Sequence, residues 1–292
     1  MYPMKFTTIK HNPSLSGMAS WLRDIPYSTA TGVELKMQIL TPWAANKPAN
    51  AEKRWPCIVF VQGSAWAFPD VAFELPQLGE FARNGYVVAT VTHRSSRDGY
   101  KAPAFLEDVK TAIRFLRKNA AKYHVDADRI GIWGTSSGGN TALLVGLTGD
   151  DPLYKTDEYS EYSDAVKTVV DCFGPADLPD QFTKEDGSKP SDEALSIAAR
   201  LLGETREEQM KRAALINPIQ KIVPHKKYPP FMLLHGDHDE QVPYSQSQKM
   251  AEALCKNDVH TEFVRVEGAP HEGSFWSRNL LSLIEDFIGR TL

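Results

Sequence analysis

The fold of this chain is decided by the stretch Ile130-Gly131-Ile132-Trp133-Gly134-Thr135-Ser136-Ser137-Gly138-Gly139-Asn140. A short apolar segment leads into the pattern Gly-x-Ser-x-Gly, and a run of small residues that suits a helix follows it. A serine on a tight turn between a strand and a helix has strained backbone angles, so small residues are needed two positions to either side. Gly134 and Gly138 occupy those positions. The stretch therefore predicts a nucleophile elbow with Ser136 at its tip.

The pattern on either side of the elbow predicts an α/β fold. Extended apolar segments alternate with amphipathic ones, which is typical of a mostly parallel central sheet flanked by helices. Strands are predicted at 33–40, 57–61, 86–91, 166–173, 231–234 and 261–266, and helices at 73–84, 104–123 and 274–288. We expect one domain over residues 1–292, with a small cap insertion at about 175–230. That insertion either shapes a pocket for the acyl or alcohol group, or is a solvent-exposed surface segment without a role in binding.

The composition limits the partners of the chain. Of its 292 residues 42% are hydrophobic and 24% charged, and the formal net charge is −4. This balance provides no basic surface for nucleic acid or for an anionic membrane. Residues 1–10 lack the apolar core of a signal peptide and no apolar run is long enough to span a membrane, so we expect a cytoplasmic protein unless a leader has been removed. The cysteines lack metal-ligand spacing and are expected to be buried structural thiols: Cys57, Cys172 and Cys255.

A serine hydroxyl is a poor nucleophile at neutral pH, so the elbow needs a base and a group that orients the base. In the segment 235–243 a strand runs into a loop with two aspartates, and Asp239 is the candidate acid. In the segment 267–273 a histidine lies between the last strand and the last helix, and His271 is the candidate base. The chain order Ser136, Asp239, His271 is the one expected for the α/β-hydrolase fold.

Each candidate has a neighbour that competes with it. Ser137 adjoins Ser136, but only Ser136 has glycines at both required positions. Asp237 could orient the base, although its place nearer the strand end favours bracing of the loop. His235 ends an apolar strand and is interpreted as a packed histidine, while His238 is expected to be exposed.

The oxyanion site is predicted where the chain leaves the strand at 57–61, in the sequence Gln62-Gly63-Ser64-Ala65-Trp66. Backbone N–H groups in this loop, joined by that of Ser137 at the start of the elbow helix, can point at the developing negative oxygen. The predicted donors are the N–H groups of Gly63, Ser64, Ala65 and Ser137. This mechanism needs neither a metal nor an organic cofactor.

Together, these motifs resemble the BD-FAE-type carboxylesterases, relatives of the hormone-sensitive-lipase esterases that include acetyl xylan and feruloyl esterases. The resemblance covers roughly residues 30–290 and also rests on His93-Arg94-Ser95-Ser96 and on the segment 103–116. It implies a serine carboxylesterase acting on short-chain acyl esters, with a small-molecule or oligosaccharide ester, such as an acetylated or feruloylated carbohydrate, as substrate. It also implies that Arg94 and Asp108 form a structural ion pair beneath the elbow, the alternative being that Arg94 anchors substrate.

The chain departs from the family pattern in the oxyanion loop, where the family usually has His-Gly-Gly-Gly-Trp. Ser64 and Ala65 can still supply N–H groups if their φ angles suit residues other than glycine. Gln62 and Trp66 are the candidate substrate-binding residues. Gln62 can alternatively support the loop in place of the usual histidine, and Trp66 can simply pack against the core.

Two other functions share parts of this pattern. A peptidase of the prolyl-oligopeptidase type has the same triad order, but it normally carries a large accessory domain for which this chain is too short. A ligand-binding protein on a hydrolase fold usually lacks a triad member or the elbow glycines, which are all present here. The sequence leaves the oligomeric state open, a homo-oligomer included.

Overall fold

The computed structural model describes residues 2–181 and 191–292. Within these residues eight strands form one sheet in the order β1-β2-β4-β3-β5-β6-β7-β8. Neighbours from β4 to β8 pair in parallel, and β2 pairs antiparallel with both β1 and β4. The predicted α/β class is confirmed. The strands are β1 Ala19–Ser28, β2 Leu35–Pro42, β3 Trp55–Val61, β4 Val87–Val91, β5 Val125–Thr135, β6 Val169–Cys172, β7 Phe231–Gly236 and β8 Thr261–Val266.

Helices cover both faces of this sheet because residues of the central strands alternate between two apolar cores. In β3, Cys57 and Val59 face one core, while Ile58 and Phe60 face the other. Outside the β6–β7 connection the described α-helices are α1 Leu75–Arg83, α2 Ala104–Lys118, α3 Ser137–Leu147, α7 Ser245–Lys256 and α8 Arg278–Thr291. The first core takes side chains from α2, α3 and α7, and the second from α1 and α8.

Two local features differ from the sequence expectations. The first strand, Ala19–Ser28, was not predicted, because most of it is an exposed edge and therefore shows no apolar pattern. Cys57 and Cys172 are buried as expected, but the expectation was wrong for Cys255, which is exposed near the end of α7. That thiol lies on the solvent face of an amphipathic helix. None of the described helices combines the length and the hydropathy that a membrane span requires.

The connection between β6 and β7 contains the segment predicted to be a cap. Its described α-helices are α4 Leu178–Gln181, α5 Asp192–Leu202 and α6 Arg206–Leu215. Residues 182–190 of the predicted cap lie outside the described part of the chain. The hydroxyl of Ser191 caps α5 by accepting from the N–H of Ala194, and a capping box at Thr205 begins α6. The N–H of Ala102 donates to the carbonyl of Leu201, which ties α5 to the start of α2.

Candidate active site

The turn between β5 and α3 holds Ser136 in a strained conformation. Its φ is 51° and its ψ is −121°, angles that residues other than glycine rarely adopt. The N–H of Ser136 donates to the carbonyl of Cys172, and the N–H of Asn140 donates back to the carbonyl of Ser136. The turn therefore places the hydroxyl at the carboxyl edge of the parallel strands, just before the N-terminus of a helix.

The two glycines around this turn are required by close packing. A Cβ on Gly134 would lie 2.0 Å from the carbonyl oxygen of Gly138, and a Cβ on Gly138 would lie 2.0 Å from that of Val61. Both obstacles are backbone atoms and cannot move aside. The spacing seen in the sequence thus has the steric cause that was inferred for it.

The structure brings together the three residues that the sequence predicted as a triad. The Oγ of Ser136 is 2.9 Å from Nε2 of His271, and Nδ1 of His271 is 2.6 Å from Oδ2 of Asp239. Since a carboxylate only accepts hydrogen bonds, Nδ1 carries the imidazole proton and Nε2 presents a lone pair to the serine. The imidazole packs on the ring of Phe173, with 4.5 Å between the ring centroids. The arrangement can take a proton from Ser136.

Asp239 is held as an anion by four hydrogen-bond donors. Its Oδ1 accepts from the backbone N–H groups of Gln241 and Val242, and its Oδ2 accepts from His271 and from Nε2 of His235. Burial is the largest single influence on the pKa of this carboxyl and raises it. The hydrogen bonds from His235 and His271, together with the charge of His271, outweigh burial and hold the pKa well below its usual range. A negative charge is therefore kept behind the base.

The competing residues have other partners. Oδ1 of Asp237 accepts from the N–H of Gly268 at 2.6 Å, and its Oδ2 accepts from Nε of Arg265 at 2.6 Å. Asp237 thus links the loops that follow β7 and β8, as its position had suggested. His238 is exposed, whereas His235 is fully buried and contacts Asp239, a contact that the sequence did not reveal.

The oxyanion loop corrects part of the sequence prediction. The N–H of Gly63 donates to Oγ1 of Thr135 at 2.8 Å, and the N–H of Ser64 donates to Oγ of Ser137 at 2.9 Å. Two of the four predicted donors are therefore engaged by neighbouring hydroxyl groups. The N–H groups of Ala65 and Ser137 remain as the candidates for an oxyanion.

This loop is supported by the β6–β7 connection, a contact that no pattern in the sequence indicates. Ala65 and Trp66 both have left-handed φ angles, 49° and 56°, although neither is glycine. The guanidinium of Arg200 on α5 donates to the carbonyl of Ala65 at 2.8 Å and to Oγ of Ser96 at 3.0 Å. The N–H of Ser96 in turn donates to the carbonyl of Trp66 at 2.8 Å. Contacts from a distant helix thus hold the loop in its strained form.

The two candidate substrate-binding residues lie in different places. Trp66 is buried and lines the cavity in front of Ser136, and its ring also packs on Phe105. Gln62 is not part of that cavity lining. Its side-chain oxygen accepts from the N–H of Asp70, which gives it a supporting role in the loop.

Arg94 and Asp108 form the structural ion pair that was expected. Nε of Arg94 lies 2.9 Å from both carboxylate oxygens of Asp108, and Nη2 lies 2.9 Å from Glu107. Both side chains of the main pair are largely buried. Neither lines the cavity beside Ser136, so the geometry does not support substrate anchoring by Arg94.

A cavity of about 190 Å³ opens in front of Ser136 and His271. Besides the elbow and His271, its walls come from the oxyanion loop, Pro175 after β6, the first half of α5 with its N-cap, and the loop after β7. The last two regions contribute carboxylate and hydroxyl groups among apolar side chains, so one side of the cavity is polar. These polar residues are Ser191, Glu193, Glu240 and Gln241.

Comparison with known proteins agrees with this geometry. The BD-FAE family model matches residues 45–254, which is the larger part of the chain and includes Ser136 and Asp239. The chain belongs to the BD-FAE family. Esterase LipC of Mycobacterium tuberculosis is 30% identical to it over 237 residues. That match covers 80% of this BD-FAE chain and 56% of LipC, so the chain spans little more than half the length of this relative.

Solved structures of esterases share the fold of this BD-FAE member. A truncated carbohydrate esterase from gut microbiota is 27% identical, with a TM-score of 0.77, over 96% of this chain and 99% of that one. An esterase of the Planctomycetes species Thermogutta terrifontis, Est2 in its propionate-bound form, is 26% identical with a TM-score of 0.74. That match covers 95% of this chain and 96% of Est2. The whole architecture, beyond the elbow alone, is common to these proteins.

Proposed function

We propose that this protein is a serine carboxylesterase that hydrolyses esters of short acyl groups through an acyl-enzyme. The observation that carries the proposal is the continuous line of hydrogen bonds from Ser136 through His271 to Asp239. This line supplies a nucleophile, a base and an anion that stabilises the protonated base. Membership of the BD-FAE family and the esterase relatives support the same chemistry.

In the first half-reaction Oγ of Ser136 attacks the ester carbonyl carbon while its proton passes to Nε2 of His271. The tetrahedral intermediate collapses, and the leaving alcohol takes that proton from Nε2. The acyl group then remains esterified to Ser136. In the second half-reaction water attacks the acyl-enzyme, Nε2 takes a proton from it, and Ser136 recovers that proton as the carboxylic acid leaves.

The negative oxygen of each intermediate needs donors close to Ser136. The N–H of Ser137 lies at the N-terminus of α3, where the helix dipole favours negative charge. Ala65, in the oxyanion loop, lines the same cavity as Ser136 and Ser137. We assign the oxyanion contacts to the N–H groups of Ala65 and Ser137, because the N–H groups of Gly63 and Ser64 are already bonded within the protein.

The size of the cavity supports a short acyl group. Its volume of about 190 Å³ is below the range of roughly 300–1,000 Å³ that is usual for drug-sized ligands. The Est2 structure cited above holds propionate. The polar wall at Glu193, Glu240 and Gln241 suits a hydroxyl-rich alcohol such as a carbohydrate, and a gut carbohydrate esterase is among the similar structures. Acetyl groups on carbohydrate are therefore the substrates that we propose, with feruloyl esters as the longer alternative.

The first test is hydrolysis of p-nitrophenyl acetate by the wild-type protein beside Ser136→Ala. We expect the substitution to lower kcat at least about a thousandfold with no change in the unfolding temperature. Ser282→Ala, which changes an exposed serine on α8, should retain the activity of the wild type. Equal hydrolysis by wild type and Ser136→Ala would refute the mechanism. Faster cleavage of peptide p-nitroanilides than of acetyl esters would refute the substrate class.

A further inference from the structure

The carboxylate of Asp239 serves two imidazoles through one oxygen atom. Oδ2 of Asp239 lies 2.6 Å from Nδ1 of His271 and 3.2 Å from Nε2 of His235. The second imidazole, that of His235, is also hydrogen-bonded to a serine, because its Nδ1 lies 2.7 Å from Oγ of Ser247. A continuous chain of hydrogen bonds therefore runs from Ser136 to Ser247 with Asp239 at its centre.

The partners of His235 define where its proton lies. Nε2 faces Oδ2 of Asp239 and, at 3.0 Å, the carbonyl oxygen of Val242. Both oxygens only accept, so Nε2 must carry a hydrogen. In the neutral imidazole Nδ1 is then the acceptor, and the hydroxyl of Ser247 donates to it. Ser247 thus selects the tautomer of His235 that can donate to Asp239.

His235 and Ser247 cannot touch a substrate. Both side chains are fully buried, and the imidazole of His235 is enclosed by the rings of Phe173 and Tyr244. Any influence on the reaction must therefore pass through Asp239. Among the described residues, Asp239 contacts one edge of this imidazole, the ring of Tyr244 lies at a centroid distance of 5.7 Å, and His271 lies beyond the shared carboxylate.

The location of His235 makes it suitable for holding that carboxylate still. It belongs to β7, a strand inside the sheet, whereas Asp239 lies on the loop that follows. The backbone donors to Oδ1 come from the same loop, at Gln241 and Val242, and move with it. Among the four donors to Asp239, His235 alone ties the carboxylate to a sheet strand.

We propose that His235 is a positioning residue for the reaction: its Nε2–H holds Oδ2 of Asp239 beneath His271 and shares the negative charge of that carboxylate. Ser247 sets the tautomer of His235 that this hydrogen bond requires. The inference rests on the proposed serine esterase function. By orienting the carboxylate, His235 holds the base toward Ser136.

Two substitutions of His235 separate its hydrogen bond to Asp239 from the packing of its ring. The amide of His235→Asn can reach Ser247 but is too short to donate to Asp239, whereas His235→Gln carries an N–H near the position of Nε2. We expect His235→Asn to lower kcat about tenfold with KM within about twofold of wild type. His235→Gln should recover most of that loss, and Ser247→Ala should show a smaller loss than His235→Asn.

Tyr154→Phe is the matched control for the removal of a buried hydroxyl group. Its hydroxyl donates to the carbonyl of Leu215 at 2.7 Å, outside the hydrogen-bond chain of Asp239. We expect a lower unfolding temperature, with the kcat and KM of wild type. If His235→Asn and Ser247→Ala likewise lose only stability, while wild type hydrolyses p-nitrophenyl acetate and Ser136→Ala does not, the positioning role is refuted and the esterase function stands.

A spectroscopic readout keeps the test independent of turnover. The proton on Nδ1 of His271, in its 2.6 Å hydrogen bond, should give a low-field NMR signal in the wild-type protein. We expect this signal to shift in His235→Asn and in Ser247→Ala, but not in Tyr154→Phe. A signal that is unmoved in both variants would overturn the proposal, whether or not the wild-type protein hydrolyses esters.

Discussion

The two serine–histidine pairs that meet at Asp239 have similar hydrogen bonds but differ in solvent exposure and in the backbone that carries the serine. We call Ser136 with His271 the open pair, and Ser247 with His235 the closed pair. Their serine-to-imidazole distances are 2.9 Å and 2.7 Å, and both imidazoles donate to the same oxygen. The open pair lines a cavity, while the closed pair is fully buried. Side-chain chemistry alone therefore does not make a nucleophile.

The backbone explains the difference between the pairs. Ser136 lies on a strained turn with a φ of 51°, just before a helix N-terminus. Ser247 lies inside the ordinary helix α7. Only the first arrangement exposes a hydroxyl group beside N–H donors that can receive an oxyanion. Exposure, helix polarity and the oxyanion loop distinguish the open pair, and each can be altered separately.

Asp239→Asn should have the largest effect, because it changes the atom that both pairs share. An amide can donate to Nδ1 of His271 and so stabilise the wrong tautomer of the base. We expect kcat for p-nitrophenyl acetate to fall about ten-thousandfold. Asp237→Asn is the matched control in the same loop and should stay within about threefold of wild-type kcat. A loss confined to tenfold in Asp239→Asn would mean that the anion contributes little to the open pair.

Gly138→Ala tests the backbone clearance that only the open pair needs. The added Cβ would lie 2.0 Å from the carbonyl oxygen of Val61 in β3. We expect the free energy of unfolding to drop by about 3 kcal/mol or more, measured by urea denaturation. Gly79→Ala on α1 is the control, since nothing lies within 4 Å of its added Cβ, and it should stabilise the protein slightly. Similar stabilities for the two variants would contradict the close packing of the elbow.

Arg200→Met tests the support of the oxyanion loop by α5. Removing the bond to the carbonyl of Ala65 should let this loop relax from its left-handed angles and lower kcat about tenfold. Arg212→Met is the matched control, because Arg212 also donates to a carbonyl, that of Leu202, at 2.8 Å. We expect both variants to lose some thermal stability and only Arg200→Met to lose kcat. An equal kcat in the two variants would show that the loop keeps its form without α5.

Glu74→Gln tests a half-buried carboxyl group that lies outside the cavity of the open pair. Burial, reinforced by the charge of Glu272, raises the pKa of Glu74 to about 8. The folded protein then holds a proton that the unfolded chain releases near its ordinary pKa of about 4.5, so stability falls as the pH rises from about 4.5 to about 8. We expect Glu74→Gln to unfold at a higher temperature than wild type at pH 8.5 but not at pH 4. The exposed Glu52→Gln should show no such pH-dependent gain.

Local spacing explains why the open pair could be predicted. The glycines around Ser136 are required by close contacts with residues a few positions away or on the adjoining strand. Such a requirement is visible in the sequence as a fixed spacing. The loops bearing Asp239 and His271 follow strands whose apolar runs are evident. The carboxyl ends of parallel strands meet at one edge, which made their proximity foreseeable.

The closed pair and the oxyanion donors could not be predicted in the same way. His235 was interpreted as a packed histidine, since no spacing rule links it to Ser247 on the next helix. The sequence predicts the N–H groups of Gly63 and Ser64 as oxyanion donors, but in the structure hydroxyl groups more than seventy residues away accept from them. Such pairings depend on side-chain rotamers in the assembled fold, and sequence patterns do not encode those.

The sequence by itself determined the fold class, the strained elbow and the three residues that come together around it. These follow from periodicity, from steric exclusion near one serine and from the order of loops along a parallel sheet. Only the tertiary structure decided which amide groups are left for an oxyanion, how Arg200 reaches Ala65, and that Asp239 carries a second imidazole. Hydrogen bonds between distant segments are selected by competition among all nearby donors and acceptors, and that competition exists only once the chain has folded.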